Sequence, residues 1–288
     1  MPAVSFAETA LLGALAGFTI FLGLPVGRLE LLSARARVAL AMFSVGVLVF
    51  LLVDVLGHGF ELTEDAVSDF KDGTAGFEHA AGFSLLLVGG FALGSAGLGI
   101  LERRIRPAAP RPPIAGGATE ALTVDDHRIA AMHADAARAR ALQTGLIIAT
   151  AIGLHNLAEG LAIGVSARAD EIGLATVLII GFALHNATEG FGIVGPLGDV
   201  KPSWRWLVLA GLIGGGPTFV GAMIGYEVTS DPLELVFYAV AGGAILYVIG
   251  EIWHGMRRYG HRELGLLLLA AGFAAGVLTD LVVVYGGG

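Results

Sequence analysis

Val38-Ala39-Leu40-Ala41-Met42-Phe43-Ser44-Val45-Gly46-Val47-Leu48-Val49-Phe50-Leu51-Leu52-Val53 runs without a charge, preceded by Arg35-Ala36-Arg37 and followed by Asp54-Val55-Leu56-Gly57-His58-Gly59. An apolar stretch of about 20 residues is the length of helix that crosses a bilayer, so Val38–Gly59 reads as a membrane span. The same reading, carried outward to blocks bounded by charges, prolines and glycines, gives Ala7–Val26, Gly76–Leu101, Ala141–Ala167, Ile172–Val194, Trp204–Tyr226, Leu233–His254 and Glu263–Tyr285. The expected fold class is all-α integral membrane, with eight transmembrane helices in a single domain over residues 1–288.

Composition agrees. The chain is 55% hydrophobic and 15% charged with a mean hydropathy of +0.78, whereas soluble domains carry about 25% charged residues. A formal net charge of -8 and the lack of any basic tract with interleaved aromatics exclude a nucleic-acid partner. There is no cysteine, so any bound metal must be held by nitrogen and oxygen. The N-terminus lacks the basic stretch and cleavage site of a secretory signal, and the first block reads as a permanent helix.

If loops alternate sides, every lysine and arginine except Lys71 and Arg168 falls on one side. Basic loops face the cytoplasm, which puts both termini outside it and makes the chain a multi-pass protein of the cell membrane. The opposite loops are acidic, with Glu61, Glu64, Asp65, Asp69 and Asp72 together. They read either as ordinary solvated loops or as a device that gathers cations. Residues 104–139, rich at first in proline, alanine and glycine, read as a flexible cytoplasmic loop between helices 3 and 4. Many of the 44 glycines are spaced as Gly211/Gly215 and Gly221/Gly225 are, the spacing of close helix packing in lipid.

Chemistry is concentrated in a repeat: His155-Asn156-Leu157-Ala158-Glu159-Gly160 in the fourth span and His185-Asn186-Ala187-Thr188-Glu189-Gly190 in the fifth. On a helix, positions i and i+4 lie about 40° apart with i+1 on the same flank, so each motif offers imidazole, amide and carboxylate from one face. Both fall near mid-span, where an unpaired ionised side chain costs at least about 2.5 kcal/mol. No arginine or lysine lies at that depth to neutralise the glutamates, and a divalent cation is the simplest neutraliser. Imidazole and carboxylate without thiolate suit zinc, iron, manganese, cobalt or nickel. Two further pairs, Asp54 with His58 and Glu251 with His254, share helix faces near the outer end of the second span and the inner end of the seventh. They read either as entrance and exit relay ligands or as interfacial polar residues.

The repeated His-Asn-x-x-Glu-Gly, with its continuation Leu161-Ala162-Ile163-Gly164, resembles the ZIP (Zrt/Irt-like) family of divalent metal transporters in its prokaryotic branch. The resemblance implies a 3+2+3 arrangement of helices in one transport domain, two bundles that move against each other, and a homodimer in the lipid bilayer. It implies that His155, Asn156, Glu159, His185, Asn186 and Glu189 line the transport site, where the two glutamates can bridge two metals. It implies import of zinc, and also of iron, manganese, cobalt, nickel or cadmium, as a transported ion with no resident cofactor. Family members commonly have proline where this chain has Ala158 and Thr188, and some prokaryotic relatives have Glu-Pro in the sixth helix where this chain has Gly216-Pro217. The missing carboxylate favours a single principal ion. Two alternatives stand beside a carrier. A membrane-embedded metalloenzyme is one, although the sequence has no His-Glu-x-x-His and no Glu-x-x-His on two helices. A metal-gated channel or receptor with a structural metal is the other.

Overall fold

The computed structural model describes residues 4–29, 33–105, 126–168, 185–227 and 230–285. Among them the architecture is all-helical. Helix α1 (Phe6–Arg28) opens on a capping box: the Ser5 side chain accepts from the Glu8 backbone N–H, and Glu8 accepts from the Ser5 backbone N–H at 2.8 Å. It narrows to a 3₁₀ turn at Leu24–Arg28, where Pro25 supplies no N–H. Helix α2 (Ala34–Lys71) is capped by Ser33. Helix α3 (Phe77–Ile105) contains a π turn at Leu93–Gly97. There follow α4 (Asp126–Arg168), α5 (residues 185–194), α6 (Trp204–Glu227), α7 (Asp231–Met256) and α8 (Arg262–Tyr285).

Seven of these helices are long and apolar enough to cross a membrane. Most of the fifth expected span, Ile172–Val194, lies outside the described residues, as do 106–125 of the expected loop. Large apolar side chains such as Leu22, Leu85, Val88 and Leu267 are exposed along the spans, as lipid contact requires and water would penalise.

Two elements are longer than the sequence reading gave. Helix α2 continues past Gly59 to Lys71, so the acidic stretch expected as loop is helix. Its Leu62 and Ala66 recur at helical spacing and pack with Phe83, Leu87 and Leu235 of α3 and α7. Helix α4 begins at Asp126, so 126–139 of the stretch read as flexible loop is also helix. That segment is alanine-rich, and alanine is the best helix former. Gln143 fastens it by donating to the Ile105 carbonyl at the end of α3.

Glycines set which helices touch backbone to backbone. A Cβ on Gly17 of α1 would collide with the Gly215 carbonyl of α6, and one on Gly190 of α5 with the Ile20 carbonyl of α1. Gly160 and Gly164 of α4 meet the carbonyls of Thr218 and Ala222 on α6, and Gly221 and Gly225 of α6 meet those of Leu157 and Leu161 on α4. This is close packing by small residues, the role expected of Gly211/Gly215 and Gly221/Gly225, although Gly211 meets a side chain, Phe21, instead of a backbone. Helices α1, α4, α5 and α6 thus form one tightly joined group. Helices α2, α3, α7 and α8 form another, with Gly46 against the Leu269 carbonyl and Gly243 against that of Phe91.

The arginines gather at one end. Arg28 donates to the Pro202 carbonyl, Arg37 to Gly198, Arg138 to Lys201 and Arg258 to Pro196, all on the turn between α5 and α6. At the opposite end Tyr226 donates to the Val4 carbonyl, and Arg168 donates to that of Tyr226.

Candidate metal site

Helix α4 carries the first motif on the side turned to α5, held there by its glycine contacts with α6. Pro217 inside α6 removes one N–H from that helix's ladder and leaves the Ile213 carbonyl without its usual donor. Gly153 of α4 packs against that carbonyl, and Asn156 donates its amide to the neighbouring Gly214 carbonyl at 2.9 Å. On α5, Asn186 donates to the Ala16 carbonyl of α1 at 3.1 Å. Each amide nitrogen is thereby spent on a neighbouring backbone, while Oδ1 of both asparagines is buried with no hydrogen-bond partner.

Between these braces lie two histidines and two glutamates. His155 Nε2 is 2.9 Å from Glu159 Oε1, close but not aligned for a hydrogen bond, and 3.7 Å from Glu189 Oε1. His185 Nε2 reaches the same Glu159 Oε1 at 2.5 Å. One ligand atom from each of His155, Glu159 and His185 can be chosen so that all lie within 4.8 Å of one another, the only such group of three among the described residues. All six motif residues are buried, and Asn156, Asn186 and Glu189 have no exposure at all.

Buried polar atoms are normally paired. Here Glu159 Oε2, both oxygens of Glu189, the two asparagine Oδ1 atoms and His155 Nδ1 are not. An acceptor-rich, donor-poor cluster of this kind suits a cation that accepts lone pairs. Nitrogen and oxygen donors without sulfur are the set for zinc and its first-row neighbours.

Where the family resemblance implies proline, Thr188 bends its side chain back to the His185 carbonyl at 2.7 Å, and its own carbonyl accepts from Ser44 of α2 at 2.6 Å. Ser44 was not anticipated. Nothing in the periodicity of α2 separates it from the apolar residues around it.

The outer pair is partly drawn in. Asp54 is half-buried and lies within electrostatic range of His58, Asp280, His155 and His185, whereas His58 is exposed with its ring edge-on to Tyr238 at 5.4 Å. Asp280 of α8 was missed, although an acidic residue within a span is itself a functional signal. Glu251 and His254 on α7 do not join the ligand group. Glu251 is half-buried and His254 exposed. A Cβ at Gly216 would meet nothing within 4 Å, so the position where the family resemblance raised the expectation of a carboxylate is open space.

The sequence matches the family described as ZIP Zinc transporter over residues 115–274, more than half of the chain and both motifs. The protein named Zinc transporter ZupT from Clostridium perfringens (strain 13 / Type A) is 31% identical over 150 residues, 49% of this chain and 51% of that protein. The chain therefore spans about half the length of the curated relative it matches. Both descriptions are of transporters and not of enzymes, which removes the metalloenzyme alternative. With a buried cluster of imidazole and carboxylate on membrane-spanning helices and this match, the chain belongs to the ZIP zinc transporter family.

Proposed function

We propose that the protein carries a divalent transition-metal ion, zinc foremost, across a bacterial inner membrane into the cytoplasm through the site formed by His155, Asn156, Glu159, His185, Asn186 and Glu189. The observation that carries this reading is the shared oxygen: Glu159 Oε1 lies within 3 Å of imidazole nitrogens from both motifs. An ion seated among these groups takes the place of the protons that otherwise hold two histidines against one carboxylate. The ligands must be deprotonated to bind, so loading releases protons and weakens at acid pH. Glu189, 3.7 Å from His155, adds the second negative charge that offsets a divalent ion. The asparagine amides brace α4 and α5 to their neighbours and leave their oxygens directed at no other donor.

Gly216 contributes no carboxylate, which supports one principal ion. Asp54 and Asp280 form an acidic step toward the outer end, while Glu251 and His254 serve at the inner end. Import is the direction that the family resemblance implies, and the basic residues of one end support that end as the cytoplasmic one.

The test is metal uptake into proteoliposomes of purified protein, with zinc, iron(II), manganese, cobalt, nickel and cadmium. Glu159→Ala and His185→Ala are compared after size-exclusion has shown them folded. Saturable uptake lost in both variants establishes transport through the paired motifs. Tight metal binding with no flux under any condition sinks the carrier reading and promotes a receptor with a structural metal.

A further inference from the structure

Far along the chain from both motifs, α2, α7 and α8 enclose a cavity of about 440 Å³ at the arginine-bearing end. Its walls divide by chemistry. Val38, Met42, Trp253 and Leu266 supply apolar surface, and Arg257, His261 and Arg262 supply cationic or ionisable groups. The side chains of Arg257 and Arg262 make no ion pair or hydrogen bond to another described residue, whereas that of Arg258 between them is engaged by the Pro196 carbonyl and the Tyr259 hydroxyl. Glu263, the nearest carboxylate in sequence, is exposed and does not line the cavity. The chain reverses here through Gly260 and His261, and His261 is the only non-glycine residue with positive φ, 55°, among the described residues. That turn sets Arg262 at the first position of α8, on the same cavity as Arg257 at the end of α7.

We propose that this cavity binds the phosphodiester headgroup of an anionic phospholipid. Guanidinium groups match phosphate oxygens in fork geometry. Basic pockets between transmembrane helices bind acidic lipid headgroups, and tryptophan sits at the level where headgroup meets acyl chain. A volume of 440 Å³ holds a glycerophosphate and not a whole lipid. The acyl chains continue along Trp253, Leu266 and Leu267, all of which remain exposed on the outer surface of α7 and α8. Met42 and Met256 line the apolar side, and their flexible thioethers adapt to chains of different shape. A free phosphate ester shares the headgroup's chemistry but leaves that apolar wall unused. The proposal depends on the membrane reading of the fold and not on metal transport.

The experiment uses full-length protein stripped of lipid in neutral detergent, with no metal added. Thermal unfolding is followed on addition of phosphatidylglycerol, phosphatidylcholine, glycerol 3-phosphate or inorganic phosphate, and native mass spectrometry counts retained lipids. Phosphatidylglycerol is expected to raise the midpoint by several degrees and to remain bound, with the other three giving no comparable shift. Arg257→Gln and Arg262→Gln, singly and together, should lose at least half of that shift. Arg103→Gln with Arg104→Gln, basic residues outside the cavity, should keep it. If phosphatidylcholine stabilises equally, or the Arg103/Arg104 variant loses as much as the cavity variants, the site is refuted. If glycerol 3-phosphate reproduces the shift, the ligand is a soluble phosphate ester and the lipid assignment fails. Should a variant not fold, the lipid comparison by mass spectrometry on the unaltered protein decides alone.

Discussion

Glu159 on α4 and His185 on α5 meet at 2.5 Å, and the same glutamate oxygen stands 2.9 Å from His155 one turn away. Two motifs 30 residues apart thus converge on one atom. Glu159→Gln keeps the shape of this junction and removes its charge. Metal affinity by titration calorimetry should fall by more than the roughly 10–100-fold that losing an outer-shell partner costs. Apo stability should fall, because the two imidazoles lose the carboxylate charge they share. Glu189→Gln, at the longer 3.7 Å contact with His155, should lose less.

Metal and protons compete for the same imidazole and carboxylate atoms. The sign is fixed: affinity drops as pH falls. Each displaced proton contributes on the order of a tenfold change per pH unit once its group is protonated in the free protein. Calorimetric titration in two buffers of different ionisation enthalpy counts the protons released. A count of zero would contradict a site built from these groups.

Asn156 separates support from ligation. Asn156→Asp keeps Oδ1 and loses the amide donor to the Gly214 carbonyl; Asn156→Ala loses both. Both variants lose the hydrogen bond that ties α4 to α6, at a cost of about 0.5–1.5 kcal/mol, visible as a lower unfolding midpoint. Only the alanine variant should also show a marked loss of metal affinity.

Adjacent glycines of α6 should respond oppositely. Gly215→Ala drives a methyl into the Gly17 carbonyl and should separate α1 from α6, with loss of folded yield. Gly216→Ala meets nothing within 4 Å and should stabilise the helix by up to about 1 kcal/mol. Size-exclusion profiles and unfolding midpoints of the two variants decide the matter.

The membrane class and the burial of the six motif residues were legible because they follow from period and burial cost. A charge-free run such as Val38–Val53 has one economical environment, and a buried His/Glu repeat has few compensators. What escaped lies between elements. Ser44 matters only because the Thr188 carbonyl of another helix stands 2.6 Å away. The asparagines read as ligands, yet half of each amide is committed to backbone on α6 or α1, a pairing that no spacing within α4 or α5 encodes. Asp280 was available to the rule applied to His155 and was overlooked inside an apolar block. The helical extension of α2 beyond Gly59 was hidden by its acidic residues, which mask the Leu62/Ala66 stripe beneath them.

The glycine contacts do more than shorten distances between helices. Among the described residues, each backbone-to-backbone collision point falls within α1, α4, α5 and α6 or within α2, α3, α7 and α8. Where the first set faces the second, Gly192 meets only side chains, those of Ile252 and Ser44, at 3.3 Å and 3.4 Å. The molecule is welded inside each half and merely bolted across the middle. Side chains can change partners where interlocked backbones cannot, and beside the second motif the bolt is the hydroxyl of Ser44 on the Thr188 carbonyl. The apolar core is continuous across that seam, with Ile148 and Ile152 of α4 in one buried cluster with Leu48 of α2 and Val248 of α7, so a sliding of one half past the other would exchange side-chain contacts without prising backbones apart.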